Sequence, residues 1–104
     1  MYLTAFDEYW DELGLTDEDR RELESRLLNN PNAGDVIPHT GGARKIRIVA
    51  KGHGKRGGAR VIYVDFIIKD KTYFLDVYAK GEKVNLTEAE KKEIAELSRR
   101  LKNE

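Results

Sequence analysis

The sequence predicts an α+β domain in which a helical hairpin and a C-terminal helix pack on a small, twisted antiparallel sheet. Three observations predict it. Apolar residues recur at helical spacing over residues 4–28 and 87–101. Between residues 43 and 80 they either alternate with cations or run continuously, as strands do. Clusters of Gly, Asn, Pro and Asp separate these segments. At 104 residues the chain supports one core, and so one domain over residues 1–104.

Residues 4–13 place Phe6, Trp10 and Leu13 on one stripe, with Asp7, Glu8, Asp11 and Glu12 elsewhere. This is an amphipathic helix, and Gly14 ends it. Thr16 heads a second helix running to about residue 28, because its hydroxyl can accept an orphan backbone N–H while Asp17, Glu18 and Asp19 suit the positive end of the dipole. Leu23 and Leu27 face inward, and the Asn-, Pro- and Gly-rich run over residues 29–35 stops the helix. The acidic faces of both helices read as solvated surface.

Residues 43–51 form the first strand, with Lys45, Arg47 and Val49 on one face and Ile46, Ile48 and Ala50 on the other. A slip of one residue would bury two cations, so the register is fixed. Residues 59–69 are apolar on both sides, as in a central strand. After a turn over residues 69–72, residues 73–80 give a third strand, with Tyr73, Leu75 and Val77 opposite Phe74, Asp76, Tyr78 and Lys80. Thr87 and Glu90 make a capping box that opens the last helix. Its stripe is Ile94, Leu97 and Leu101, and Arg99, Arg100 and Lys102 suit its negative end. The order is α-α-β-β-β-α, with the helices expected on one face of a three-stranded meander and the other face free.

Composition narrows the function. Charged residues make up 37% and apolar ones 39%, a soluble, globular balance. No apolar run approaches the length of a membrane span and the acidic N-terminus lacks signal-peptide features, so a cytoplasmic protein with no membrane partner is expected. The absence of cysteine excludes disulfides, thiolate catalysis and cysteine-held metals. Two histidines, His39 and His53, are too few to suggest a metal centre, and no cofactor is expected. The zero net charge is a sum of unlike parts: −7 over residues 1–38, +7 over residues 39–83, and balance thereafter. A locally basic surface can still steer a polyanion.

The basic part centres on residues 41–60, which hold seven Lys/Arg and no Asp or Glu. A Walker loop fails there, because Val49 stands where its first glycine is needed and Arg56 follows Lys55. Ser25 and Ser98 lie on predicted helices far from either histidine, which leaves a serine nucleophile unsupported. Asp65 and Asp76 are the only acids well inside strands, a weak basis for a carboxylate pair. Nucleic-acid binding survives, since it needs dense cations on a rigid scaffold and an aromatic such as Tyr63 or Tyr78 to stack a base. Gly52, Gly54, Gly57 and Gly58 read as turn makers. Lys45 and Arg47, joined by Arg60 and Lys80 from neighbouring strands, form a convergent cluster of the kind catalysis needs.

Several motifs then occur in order. Asn30-Pro31 precedes Gly34-Asp35-Val36-Ile37-Pro38; Thr40-Gly41-Gly42-Ala43-Arg44-Lys45-Ile46-Arg47 and Gly54-Lys55-Arg56-Gly57-Gly58-Ala59-Arg60-Val61-Ile62-Tyr63 follow; Tyr78-Ala79-Lys80 and Leu86-Thr87 close the series. Together they resemble the HigB branch of the RelE toxin superfamily, from about Leu13 to the C-terminus. The resemblance implies a RelE-like fold and the toxin of a type II toxin–antitoxin pair. It implies a metal-independent endoribonuclease, an mRNA interferase that cuts the message in the ribosomal A site by driving the RNA 2′-OH onto the adjacent phosphate. The implied partners are a cognate antitoxin protein of the helix-turn-helix type, mRNA and ribosomal RNA.

With that reaction in view, Arg60 suits the phosphate, since its planar fork can grip two oxygens. Lys45 and Arg47 resemble the family's paired basic residues, with Lys45 as general base and Arg47 stabilising charge. Lys80 resembles the cation at the strand end and could protonate the leaving oxygen. Arg44, Lys51, His53, Lys55, Arg56, Tyr63 and Tyr78 are candidate RNA contacts. The chain departs from some relatives in having no tyrosine after Tyr78. A non-cleaving module of the same fold that binds RNA, the ribosome or an antitoxin is the alternative, and a structural RNA-binding protein is a third reading.

Overall fold

The computed structural model describes residues 4–49, 58–66, 70–79 and 85–104. Within these residues three helices and a four-stranded antiparallel sheet follow in the order α1 (Thr4–Glu12), α2 (Asp17–Asn29), β1 (Asp35–Val36), β2 (Arg44–Ile48), β3 (Ala59–Phe66), β4 (Lys71–Ala79) and α3 (Glu88–Lys102). The strands lie in sequence order, β1-β2-β3-β4.

The helix boundaries follow the predicted caps. At the head of α2 the Thr16 hydroxyl accepts from Asp19 N and the Asp19 carboxylate accepts from Thr16 N, at 3.1 and 2.9 Å. Thr87 and Glu90 make the same reciprocal pair at the start of α3. Phe6 and Trp10 of α1 stack at 5.6 Å and are buried, while Trp10 Nε1 donates to Thr16 O and so ties α1 to the turn before α2. Arg20 lies over the Trp10 ring and pairs with Asp7, closing the hairpin.

Two findings correct the expected arrangement. The helices do not share one face. Phe6, Trp10, Leu23 and Leu27 pack with Ile46, Ile48, Val61, Tyr63, Phe74 and Val77 in one core, whereas Ile94 and Leu101 of α3 pack with Ile62, Val64, Tyr73, Leu75 and Tyr78 in another. Successive β3 residues alternate between the two cores, so α1 and α2 cover one face of the sheet and α3 covers part of the other. The physical reason is β3 itself: with apolar side chains on both sides, it exposes a hydrophobic face unless both sides are covered. The sheet also has a fourth strand. β1 was expected only as a lead-in, but Asp35 and Val36 pair with Lys45 and Arg44, and Ile37 N donates to Ala43 O to close the connection.

The expected alternation in β4 is likewise broken. Ile62 pairs with Asp76 while Tyr63 pairs with Phe74, so β4 has one residue more than β3 at this step. That bulge keeps Tyr73 and Leu75 on the α3 face and returns Tyr78 to it, whereas Val77 joins Phe74 on the α1 face.

Candidate functional site

On β2, Ile46 and Ile48 enter the core beneath α1 and α2, which sends Lys45 and Arg47 to the α3 side of the sheet. On β3, Ala59 and Val61 take the first face and Arg60 the second. Register then aligns them. Arg47 pairs with Arg60, and Arg60 pairs with Tyr78, giving a row across three strands on one face. The next row is Asp35, Lys45, Ile62 and Asp76. Along β3 on this face Val64 and Ile62 are buried, but Arg60 is only half-buried and Arg47 beside it is exposed. The cover given by the α3 core thins out at the arginine row.

The electrostatics of this row are unusual. Like charges directly opposite on neighbouring strands cost roughly 0.2–1 kcal/mol. The Nε of Arg60 is buried with no hydrogen-bond partner, and an unmet buried donor costs about 1–3 kcal/mol, more on a charged group. Among the described residues neither arginine makes an ion pair, whereas Arg20 pairs with Asp7 and Arg99 with Glu96. An anion seated between Arg47 and Arg60 would offset both costs.

Several predicted contacts take other roles. Tyr63 was expected to be available to RNA, but it is fully buried in the core on the opposite face; its hydroxyl donates to Pro31 O at 2.7 Å and accepts from Gly34 N at 3.0 Å. Burial raises the Tyr63 phenol above its ordinary pKa of 10.0. Arg44 pairs with Tyr63 in register and so also turns to that face, where it donates to the carbonyls of Gly34 and Asn32. It anchors a loop. Tyr78 shares the arginine row but is 3% exposed, so its ring offers no free face for base stacking. Lys51, His53, Lys55, Arg56 and Lys80 lie outside the described residues. Gly58, read as a turn maker, has φ +64°.

Arg26, which the sequence did not single out, reaches from α2 to donate to Arg47 O at 3.1 Å. Among the described residues, no group of three or more His, Asp or Glu side chains is arranged to hold a metal ion. No helix of the described residues is long and apolar enough to cross a membrane.

The fold agrees with the comparison to known families. Residues 14–104 match the family described as the RelE toxin of the RelE/RelB toxin–antitoxin system. The chain belongs to the RelE toxin family. Membership implies a toxin working opposite an antitoxin partner. The matched span takes in every element from α2 onward, including both strands that carry the arginine row. In this RelE-family protein α1 lies before the matched residues, and its Phe6 and Trp10 complete the core under β2, β3 and β4.

Proposed function

We propose that this RelE-family protein is the toxin of a type II toxin–antitoxin pair that acts as a ribosome-dependent endoribonuclease, cutting mRNA in the ribosomal A site and halting translation. The observation that carries the reading is the Arg47–Arg60–Tyr78 row with the unpartnered Nε of Arg60 at its centre. Two guanidinium groups held side by side on a sheet match the charge that builds on a phosphorane-like transition state. In the reaction the 2′-oxygen bonds to the adjacent phosphorus and the bond to the 5′-oxygen breaks. One proton leaves the 2′-hydroxyl and one is delivered to the 5′-oxygen, giving a cyclic phosphate and a free 5′-OH.

Arg60 grips two phosphate oxygens through its fork, and Arg47 stabilises the developing charge. Lys45, one row away on the same face, takes the 2′ proton, and Lys80 supplies the proton to the leaving oxygen. Tyr78 backs Arg60 from the neighbouring strand. Lys51, His53, Lys55 and Arg56 add contacts to mRNA or ribosomal RNA, each phosphate contact bringing salt-dependent affinity. The paired Gly-Gly-Ala-Arg-Lys-Ile-Arg and Gly-Lys-Arg-Gly-Gly-Ala-Arg-Val-Ile-Tyr motifs support the HigB branch of the family, a cytoplasmic site of action and an antitoxin of the helix-turn-helix type.

The test is induced expression in bacteria of the natural chain and of Arg60→Ala, followed by primer extension on an abundant message. Cuts confined to translated regions and lost in the variant are expected. Growth arrest with intact message would instead mean a module that binds without cutting.

A further inference from the structure

We propose that Lys91 of α3 is a further phosphate-binding residue of the arginine row, whose ammonium exchanges its surface partner Glu88 for the RNA phosphate held by Arg47 and Arg60. The proposal rests on the nuclease reading and adds a cation from the helix side of the face to those on the strands.

The helical period decides where Lys91 points. The buried stripe of α3 is Ile94, Ser98 and Leu101, and the residues on its two flanks face different strands. Glu90, on one flank, lines a cleft with Asp76, Val77 and Tyr78 of β4 and with Tyr9, Glu12 and Leu13. Among the described residues none of β2 or β3 lines that cleft, so this flank looks to the outer edge of β4. Lys91 and Ala95, four residues apart, lie one above the other on the opposite flank. Ala95 stands on the β2 side, because a Cβ on Gly41, in the loop leading into β2, would lie 3.6 Å from Ala95 O. Lys91 therefore leans toward β2 and β3, and it is one turn nearer than Ala95 to the end of α3 that meets Tyr78. Tyr78 belongs to the arginine row, and Arg60 and Arg47 follow it across the sheet.

Burial and pairing fit that role. The Lys91 side chain is only 20% exposed, whereas Lys92 beside it is exposed. A lysine covered this far lays its stem along apolar surface and keeps its charged head at the rim. On this face the rim of the α3 core is the arginine row, where Arg60 is half-buried and Arg47 exposed. The ammonium of Lys91 meets Glu88 Oε1 at 3.5 Å, and the Glu88 side chain is 84% exposed. So exposed a pair contributes little, and a phosphate replaces it at small cost. The other carboxylates at this end of α3 are engaged: Glu90 accepts from Thr87 N and Asp76 from Val77 N. Arg47, Arg60 and Lys91 thus bring cations from β2, β3 and α3 to one face, and the charge that builds on phosphorus meets the third of them from the helix side.

The test uses the full chain, a single-stranded RNA oligonucleotide with 2′-O-methyl groups, which binds without being cut, and the variants Lys91→Gln, Lys91→Arg, Glu88→Gln and Lys92→Gln. Lys91→Gln is expected to weaken RNA binding about tenfold and to lower the slope of log K against log salt by about 0.7, the share of one phosphate on single-stranded RNA. It should also slow the cutting of a translated message. Lys91→Arg should restore the slope, because the charge returns. Glu88→Gln frees the ammonium and should tighten binding about twofold. Lys92→Gln removes the same charge from the exposed side of α3 and should leave slope and cutting unchanged, which separates a placed cation from bulk charge. An unchanged slope in folded Lys91→Gln, or equal losses in Lys91→Gln and Lys92→Gln, would overturn the role of Lys91 and leave the nuclease reading standing. Should Lys91→Gln fail to fold, Glu88→Gln decides: binding no tighter than that of the natural chain would overturn the exchange. A natural chain that neither binds nor cuts RNA would overturn the nuclease reading, and the role of Lys91 with it.

Discussion

Arg47 and Arg60 stand directly opposite one another in the β2–β3 register, on the same face of the sheet and with no carboxylate among the described residues paired to either. Sheet pairing disfavours like charges in this position. The arrangement costs stability, and an anion bound between the two guanidinium groups, as the proposed function requires, would offset that cost.

Removing Arg60 should therefore not harm the fold. Arg60→Ala deletes one half of a like-charge pair and a buried donor without a partner, so its stability to urea is expected to equal that of the natural chain or exceed it by up to about 1 kcal/mol. Sulfate should raise the midpoint of thermal unfolding in the natural chain and do so less in the variant, because a ligand that binds only the folded state stabilises it by mass action. Equal sulfate shifts in both proteins would remove the anion site from this row.

Tyr63 holds the loop before β1 to the middle of β3. Tyr63→Phe removes its bonds to Pro31 O and Gly34 N and leaves the buried Gly34 N–H unmet. A loss of about 1–3 kcal/mol in urea unfolding is expected, with toxicity retained in the fraction that folds. Abolished toxicity in a stably folded Tyr63→Phe protein would return this residue to the RNA contacts.

The same burial gives a pH signature. With its folded pKa above the ordinary 10.0 because ionisation in the core is penalised by desolvation, Tyr63 binds its proton more tightly folded than unfolded. Its contribution is complete below about pH 10 and is lost as pH rises toward the folded pKa. Unfolding free energy should fall with pH above about 10, and the fall should be shallower in Tyr63→Phe. Identical slopes in the two proteins would contradict the assignment.

Two glycines are needed for different reasons. A Cβ at Gly34 would lie 2.7 Å from Lys45 O and 2.9 Å from the Tyr63 ring. A Cβ at Gly58 would overlap the carbonyl of Ile48, and φ there is +64°. Gly34→Ala and Gly58→Ala are each expected to cost roughly 2 kcal/mol or more. Circular dichroism melts should show both well below Gly42→Ala, whose added Cβ meets nothing within 4 Å and whose penalty comes from φ alone.

By itself the sequence determined the local features: the two capped helices, whose Thr16 and Thr87 signals act within one turn, and the separation of Lys45 and Arg47 from Ile46 and Ile48, which follows from the period of a strand. It also located the basic residues of the arginine row, because cations that alternate with isoleucines have only one side of a sheet to occupy.

Tertiary structure decided the rest, because each remaining point depends on residues distant in the chain. That β3 is apolar on both sides was legible, yet the passage of α3 to the second face became evident only when two cores were seen on either side of it. The bulge opposite Ile62 and Tyr63 turns Val77 toward α1 against simple alternation. Tyr63 carries the same residue type at the same strand spacing as a base-stacking platform would, and only its reach to Pro31, 32 positions away, fixed it as a core anchor. Arg26 is an ordinary helix cation until α2 is laid beside β2, where it meets the carbonyl of a residue 21 positions later. Strand period and capping are encoded by neighbours in sequence, whereas which face is covered, and which cation has no carboxylate to meet, is set by packing.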